Sequence, residues 1–214
     1  MSGTVSGRAP GRPRSERAEK AIIEATLDLL AEESGVAGVT IEAVAARAGV
    51  GKTTIYRRWP HKEALIVGAL ATIKSPPRDP SGPTVRDDLL AIASDIAAER
   101  EHPHARCFWN VVGGAEKHPE LYARYRRDVI QPRREMLHRV LRRGVERGEL
   151  RADLDLDVVI AMLVGVLVHR SPRERLPEGL PEAVIDTVLR GIAAGPGPAG
   201  PGHAPDPGAA GPEG

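Results

Sequence analysis

Apolar residues recur along this chain at steps of three and four, and nowhere do they alternate at steps of two. Steps of three and four gather side chains on one face of an α-helix, whereas a half-buried strand needs a period of two. The predicted fold class is therefore all-α, with about nine or ten helices punctuated by Gly and Pro. The first runs from Ser15, a candidate N-cap, to about Ser34, with Ala18, Ile22, Ala25 and Leu29 on one face and Gly35 as its stop. Thr40 caps a short second helix carrying Ile41, Val44, Ala45 and Ala48, which Gly49 breaks. A third covers about Lys52 to Arg58 and ends ahead of Pro60, because a residue before proline is pushed out of the helical region. A fourth starts near His61 or Lys62 and runs to about Lys74, where Pro76 and Pro77 stop it.

Longer helices follow. Thr84 caps a run whose face is Val85, Leu89, Ile92 and Ile96, closed by Pro103. Further helices are expected from about His104 to Gly113, Pro119 to Ile130, and Pro132 to Arg147. Between Asp155 and Arg170 lies an unbroken apolar stretch, Val158 to Val168, too short to span a bilayer and apolar all round. A last helix covers about Pro181 to Ala194. The ends differ in composition. Residues 1–14 are rich in Gly, Pro, Ser and Arg and read as a flexible basic arm, and residues 195–214 hold 7 Gly and 6 Pro without a three-residue period and read as a disordered tail.

Composition removes several function classes. The single cysteine, Cys107, excludes an intramolecular disulfide and any zinc site built on a cysteine pair. Aromatic residues are only 3 %, so the core is expected to be aliphatic. No apolar run marks a signal peptide or a membrane span, and a soluble cytoplasmic protein is expected. The histidines show no metal-ligand spacing, and no metal or cofactor is expected. The net charge of +1 hides an asymmetry, since residues 1–62 carry 10 Lys and Arg against 7 Asp and Glu, while the remainder carries 20 against 22. From Arg47 to Lys62 there are basic residues and no acidic one, the local excess that suits a phosphate backbone.

That excess coincides with TIEAVAARAGVGKTTIYRRWPHK, residues 40–62. Two short helices joined by a glycine turn form either a structural hairpin or a DNA-reading helix-turn-helix. The DNA-reading form needs a small residue where the helices cross, a glycine in the turn, and an apolar anchor on the second helix. Ala45, Gly49 and Ile55 meet those needs. The outward positions of the second helix are then Lys52, Thr53, Thr54, Tyr56 and Arg57, all hydrogen-bond donors suited to a major groove and its phosphates. Gly51–Lys52–Thr53 also echoes a nucleotide-binding loop. That motif needs a glycine five residues earlier and a preceding strand, whereas Ala46 stands there on a helix.

From the first helix through Thr40–Ile41, Ala48–Gly49–Val50, Thr54–Ile55–Tyr56, Trp59, Lys62 and Leu65, the sequence resembles the TetR family of bacterial transcriptional regulators. The resemblance covers about the first third of the chain, and several fixed spacings agree at once. It implies that Thr40, Thr54, Tyr56 and Lys62 contact phosphates, and that Lys52, Thr53 and Arg57 face base edges. Two positions depart from the family pattern. Gly51 stands where many members carry Ser or Thr, so a hydroxyl contact is lost, and Trp59 replaces Phe or Tyr as a wedge packing the third helix on the first.

The resemblance further implies a helix-turn-helix domain over residues 15–62, a linking helix over 63–75, and an effector-binding and dimerisation domain over 76–194. It implies a homodimer formed through the last two helices, bound to a near-palindromic double-stranded operator with half-sites about 34–36 Å apart or a multiple. A small-molecule effector would displace the helix at Lys62–Lys74 and release a repressor. Within the second domain Phe108, Trp109, Asn110, Met136, Met162 and His169 are the large or adaptable residues, and hence the candidate pocket. Two rival readings are a constitutive architectural DNA-binding dimer without ligand and a small-molecule enzyme. For the enzyme, Cys107 near His102 and His104 is the nearest thing to a nucleophile–base pair, with Pro103 between them and no third orienting residue.

Overall fold

The computed structural model describes residues 12–32, 35–168 and 177–193. Residues 1–11 of the expected basic arm, His169 and the Gly/Pro tail lie outside them, and residues 12–14 of that arm belong instead to the first helix. Among the described residues the secondary structure is helical, apart from a single antiparallel bridge between Leu150 and Ala193. The helices are α1 (Arg12–Ala31), α2 (Ile41–Ala48), α3 (Lys52–Tyr56), α4 (Lys62–Ile73), α5 (Val85–Glu101), α6 (Arg106–Gly113), α7 (Pro119–Tyr125), α8 (Gln131–Glu146), α9 (Leu156–Val168) and α10 (Leu180–Ile192).

Local chemistry accounts for most boundaries. Thr40 and Thr84 take extended backbone and accept the N–H of Ala43 and Asp87, as N-cap hydroxyls do. At Thr84 the Asp87 carboxylate returns the bond to the Thr84 N–H, completing a capping box. Gly49 ends α2 at φ 65°, a left-handed conformation that glycine adopts without a β-carbon clash.

Three expectations change. α1 begins at Arg12, so Ser15 lies within the helix and its hydroxyl takes a bond from Arg58 instead of capping. α1 also stops at Ala31, and Gly35 (φ 52°) opens a 3-10 turn over Gly35–Ala37 rather than ending the helix directly. Finally, α7 and α8 are not separated at Pro132. They run on through a π-helical turn, Arg126–Ile130, in which the Gln131 N–H reaches the Arg126 carbonyl five residues back. Proline lacks the N–H that would continue the ladder, so the ladder slips by one residue. The Arg133 guanidinium then donates to the Val129 carbonyl at 2.7 Å.

Buried side chains form two clusters. One joins α1–α4 with Cys107 and Val111 of α6, Leu121 and Tyr125 of α7, and Val129. The other is built from α5, α8, α9 and α10. α4 is apolar on nearly every side, burying Ala64, Leu65, Ile66, Val67, Ala69 and Leu70, because it runs between α1 and α7. In the second cluster Gly144 of α8 lets α5 approach. A β-carbon there would collide with Val85 Cγ2 and lie 2.9 Å from Leu150 Cδ1. Gly144→Ala is therefore expected to lower stability by about 1–3 kcal/mol despite alanine's better helix propensity. Chemical denaturation measures it, and a stabilised variant would show that α5 yields freely.

Candidate functional site

The Thr40–Lys62 segment folds as two helices crossing on a buried seam. Val44, Ala45 and Ile55 are buried, Ile55 completely, and Ile55 is the one buried residue of α3. The Val50 N–H closes the turn on the Ala45 carbonyl at 3.0 Å. Gly51 caps α3 with no side-chain bond, as its missing hydroxyl dictates.

With Ile55 turned inward, Lys52, Thr53, Tyr56 and Arg57 are exposed, Thr54 and Lys62 are partly so, and exposed Thr40 stands at the head of α2. Lys52, Thr53, Tyr56 and Arg57 lie on one side of α3. Lys52 is not free there, since its Nζ donates to Glu42 Oε1 at 2.6 Å across the two helices. That hydrogen bond holds the Glu42 carboxyl below its ordinary range and raises the Lys52 ammonium.

Arg58, part of the same basic run, has another task. Its side chain is one-fifth exposed, and it donates to Glu19 at 3.2 Å and to the Ser15 carbonyl at 3.1 Å, fastening the end of α3 to α1. Trp59 is partly buried against the first cluster, which holds α1 residues and Ile55, and its ring also faces α4. A β-carbon at Gly68 would lie 2.7 Å from its indole nitrogen, so bare α4 backbone faces the ring. At the head of α4, His61 caps Ala64 through Nδ1 at 3.3 Å, and Arg124 of α7 lies 3.0 Å from Nε2.

The far end of α4 borders a cavity of about 40 Å³. Leu70, Ile73 and Lys74 form one wall, and Ile96, Glu99 and Arg100 of α5 another. Phe108 and Trp109 of α6 with Tyr125 of α7 complete the aromatic side. The two α6 rings meet edge to face, with centroids 5.0 Å apart.

Of the residues suggested for a pocket, Phe108 and Trp109 line this cavity and three others do not. Asn110 lies on the opposite side of α6, donating to the Leu30 carbonyl of α1 at 2.6 Å. Met136 is buried in the second cluster, where its sulfur accepts the Arg78 N–H. Met162 is half exposed on α9. Sequence reasoning missed Lys74, Glu99 and Tyr125. Glu99 carried a readable signal, because it continues the Leu89–Ile92–Ile96 face of α5 at helical spacing.

Glu99 is the electrostatic centre of the cavity wall. Its carboxylate is 8 % exposed and accepts Lys74 Nζ at 2.8 Å and the Ser75 N–H at 2.7 Å. The Lys74 ammonium also stands 5.2 Å from the centre of the Phe108 ring. Cys107, by contrast, has no catalytic setting. It is fully buried, its thiol donates to the Leu27 carbonyl at 3.3 Å, and burial pushes its ionisation up to about 12. Among the described residues no cluster of His, Cys, Asp or Glu forms a metal site, and no helix is long and apolar enough to cross a membrane.

A buried crossing of two short helices, presenting donors on the second and tied into a helical domain, defines a helix-turn-helix DNA-binding protein. Residues 22–69 match the family described as bacterial regulatory proteins, tetR family, and residues 79–188 match the tetracyclin repressor-like C-terminal domain. The chain belongs to the TetR family of transcriptional regulators. It is 35 % identical over 127 residues to the uncharacterized HTH-type transcriptional regulator YdeS of Bacillus subtilis, covering 58 % of this chain and 63 % of that one. The alignment thus spans less than two thirds of that relative's length. The crystal structure of the TetR family transcription regulator SCO0332 is 30 % identical, with a TM-score of 0.60 over 83 % of this chain and 99 % of that one. The regulator FadR from Bacillus subtilis, crystallised with stearoyl-CoA, shares the fold at 18 % identity and a TM-score of 0.60, over 81 % of this chain and 98 % of that one.

Proposed function

We propose that this protein is a dimeric repressor that reads a near-palindromic operator and is released from it by a small-molecule effector. The observation that carries the reading is α3 itself, anchored by a fully buried Ile55 while Lys52, Thr53, Tyr56 and Arg57 stand outward. In this reading Thr40, Thr54, Tyr56 and Lys62 hold phosphates. Lys52, Thr53 and Arg57 face base edges, and Lys52 exchanges Glu42 for DNA on binding.

The dimer is supported by α9, where Val158, Met162 and Val166 are 53 %, 51 % and 43 % exposed at four-residue steps. That apolar stripe suits the same stripe of a second copy. Effector control is supported by the position of the cavity. α4 borders it through Leu70, Ile73 and Lys74 and meets the reading head through Gly68 and Trp59. α6 offers a second route, since Phe108 and Trp109 line the cavity while Cys107 and Asn110 hold α1 carbonyls. An effector that binds the released arrangement more tightly shifts the population toward it, and DNA weakens the effector by the same factor. An acyl-CoA as large as the one bound by FadR exceeds this cavity, so a smaller effector fits it better.

Selection of genomic fragments by the purified protein across a salt series tests the reading. An enriched palindrome with steep salt dependence is expected, whereas binding without sequence preference returns the architectural alternative and a single unpaired half-site removes the dimer. In the same assay Lys62→Ala is expected to weaken operator and random DNA alike and to flatten the salt slope by about one. Arg57→Ala is expected to relax base preference at one position of each half-site, costing about 1–3 kcal/mol there. Unchanged affinity and preference in both variants would remove α3 from the groove.

A further inference from the structure

We propose that the cavity between α4, α5, α6 and α7 takes a small organic acid, carboxylate first, with an aromatic or branched body resting against Phe108 and Trp109. The proposal rests on the effector reading above and names the chemistry of that site. Three observations converge on it.

The first is an unspent polar group. Tyr125 is fully buried on the cavity wall, and its hydroxyl has no hydrogen-bond partner among the described residues. Such a group, left unsatisfied, carries a desolvation cost that a ligand removes. Burial drives the phenol's ionisation well above its ordinary value, so the hydroxyl keeps its proton and is available to donate.

The second is the balance of donors and acceptors. Both oxygens of Glu99 are already engaged, by Lys74 and by the Ser75 N–H. Lys74 has three donors and directs one of them to Glu99, with Phe108 beside it as a ring face. Lys74 keeps two N–H donors and Tyr125 an O–H, so an acceptor satisfies several donors at once, whereas a donor meets only the remaining lone pairs of Glu99 and the Tyr125 oxygen.

The third is charge. Lys74 on the wall and Arg133, which donates to the Ser75 carbonyl beside it, stand against one carboxylate, Glu99. A second ammonium entering here meets a net positive wall, whereas a carboxylate neutralises it. Size agrees with a headgroup. About 40 Å³ holds two or three waters, comparable to a carboxylate, and leaves the body of the acid at the half-buried rings of Phe108 and Trp109. A carboxylate on Lys74 competes with Glu99 for the residue that ends α4, so binding bears directly on the helix that leads to the reading head.

The test uses the full chain with Trp59→Phe, which leaves Trp109 as the one tryptophan of the sequence. Benzoate, benzylamine and benzyl alcohol are titrated against Trp109 fluorescence in this variant, and each is tested for release of the selected operator from the chain that keeps Trp59. Benzoate is expected to bind best. Tyr125→Phe, which keeps the ring's shape, and Lys74→Met are each expected to weaken it about tenfold. Equal or tighter binding of the amine or the alcohol, no binding of any probe, or benzoate affinity unchanged in Tyr125→Phe overturns the acid assignment. If benzyl alcohol releases the operator and benzoate does not, the effector reading stands and the acid class falls. If benzoate binds through Tyr125 without releasing DNA, the acid site stands and effector control falls.

Discussion

Ile55→Ala is expected to lower the unfolding free energy by about 2–5 kcal/mol and to abolish operator binding in the fraction that remains folded. α3 has five residues, far below the length at which a helix holds itself in water, so its position depends on what it packs against. Ile55 is its one buried side chain and is completely enclosed. Its carbonyl also receives the N–H groups of Arg58 and Trp59, the two residues that tie the segment to α1 and α4. Truncation leaves a void under the helix and lets its axis rotate, and a small rotation removes Lys52, Thr53 and Arg57 together from any groove. Thr53→Ala on the exposed side of the same helix is the control, expected to change stability by no more than about 0.5 kcal/mol. Urea midpoints and operator titration read both quantities. Near-native DNA affinity in Ile55→Ala would mean that Arg58 and Trp59 alone orient the helix.

The same segment shows what a sequence makes legible. Thr40, Gly49 and Thr84 announce helix ends through chemistry acting over three or four residues, and each does so in the structure. The apolar run of α9 announces a helix with more than one apolar face, and Val158, Met162 and Val166 are the face left uncovered. Features that depend on distant partners were not legible in this way. Arg58 looks like one more surface cation until α1 brings Ser15 and Glu19 to it, 43 and 39 residues away in sequence. The Arg126–Ile130 turn follows from Pro132 only when Arg133 is available to serve the Val129 carbonyl. The cavity is the clearest case. Large side chains were the available guide, which found Phe108 and Trp109 but also Asn110 and Met162, one turned to α1 and one to the outer surface. The wall depends on which helix ends converge, and that brings together Lys74 and Glu99, 25 residues apart.

Glu99→Ala carries the second large expectation, a loss of about 3–5 kcal/mol with weaker operator binding in the absence of any effector. Removing one partner of a mostly buried ion pair leaves the other charge uncompensated, and Lys74 is only 18 % exposed. The Ser75 N–H loses its acceptor at the same time. Arg133, which donates to the Ser75 carbonyl, loses a neutralising neighbour. All three effects fall where α4 ends, so the helix is untied at its cavity end while its other end stays fixed by Trp59 and the His61 cap. Glu99→Gln separates the contributions. Its carbonyl still accepts from Ser75 while its charge is gone, and a smaller loss of about 1–3 kcal/mol is expected. If Glu99→Ala is neutral within about 0.5 kcal/mol, Lys74 simply turns to water and α4 is held by packing alone. If stability falls but operator affinity does not, the end of α4 is structural and the reading head takes its orientation through α6 and α1.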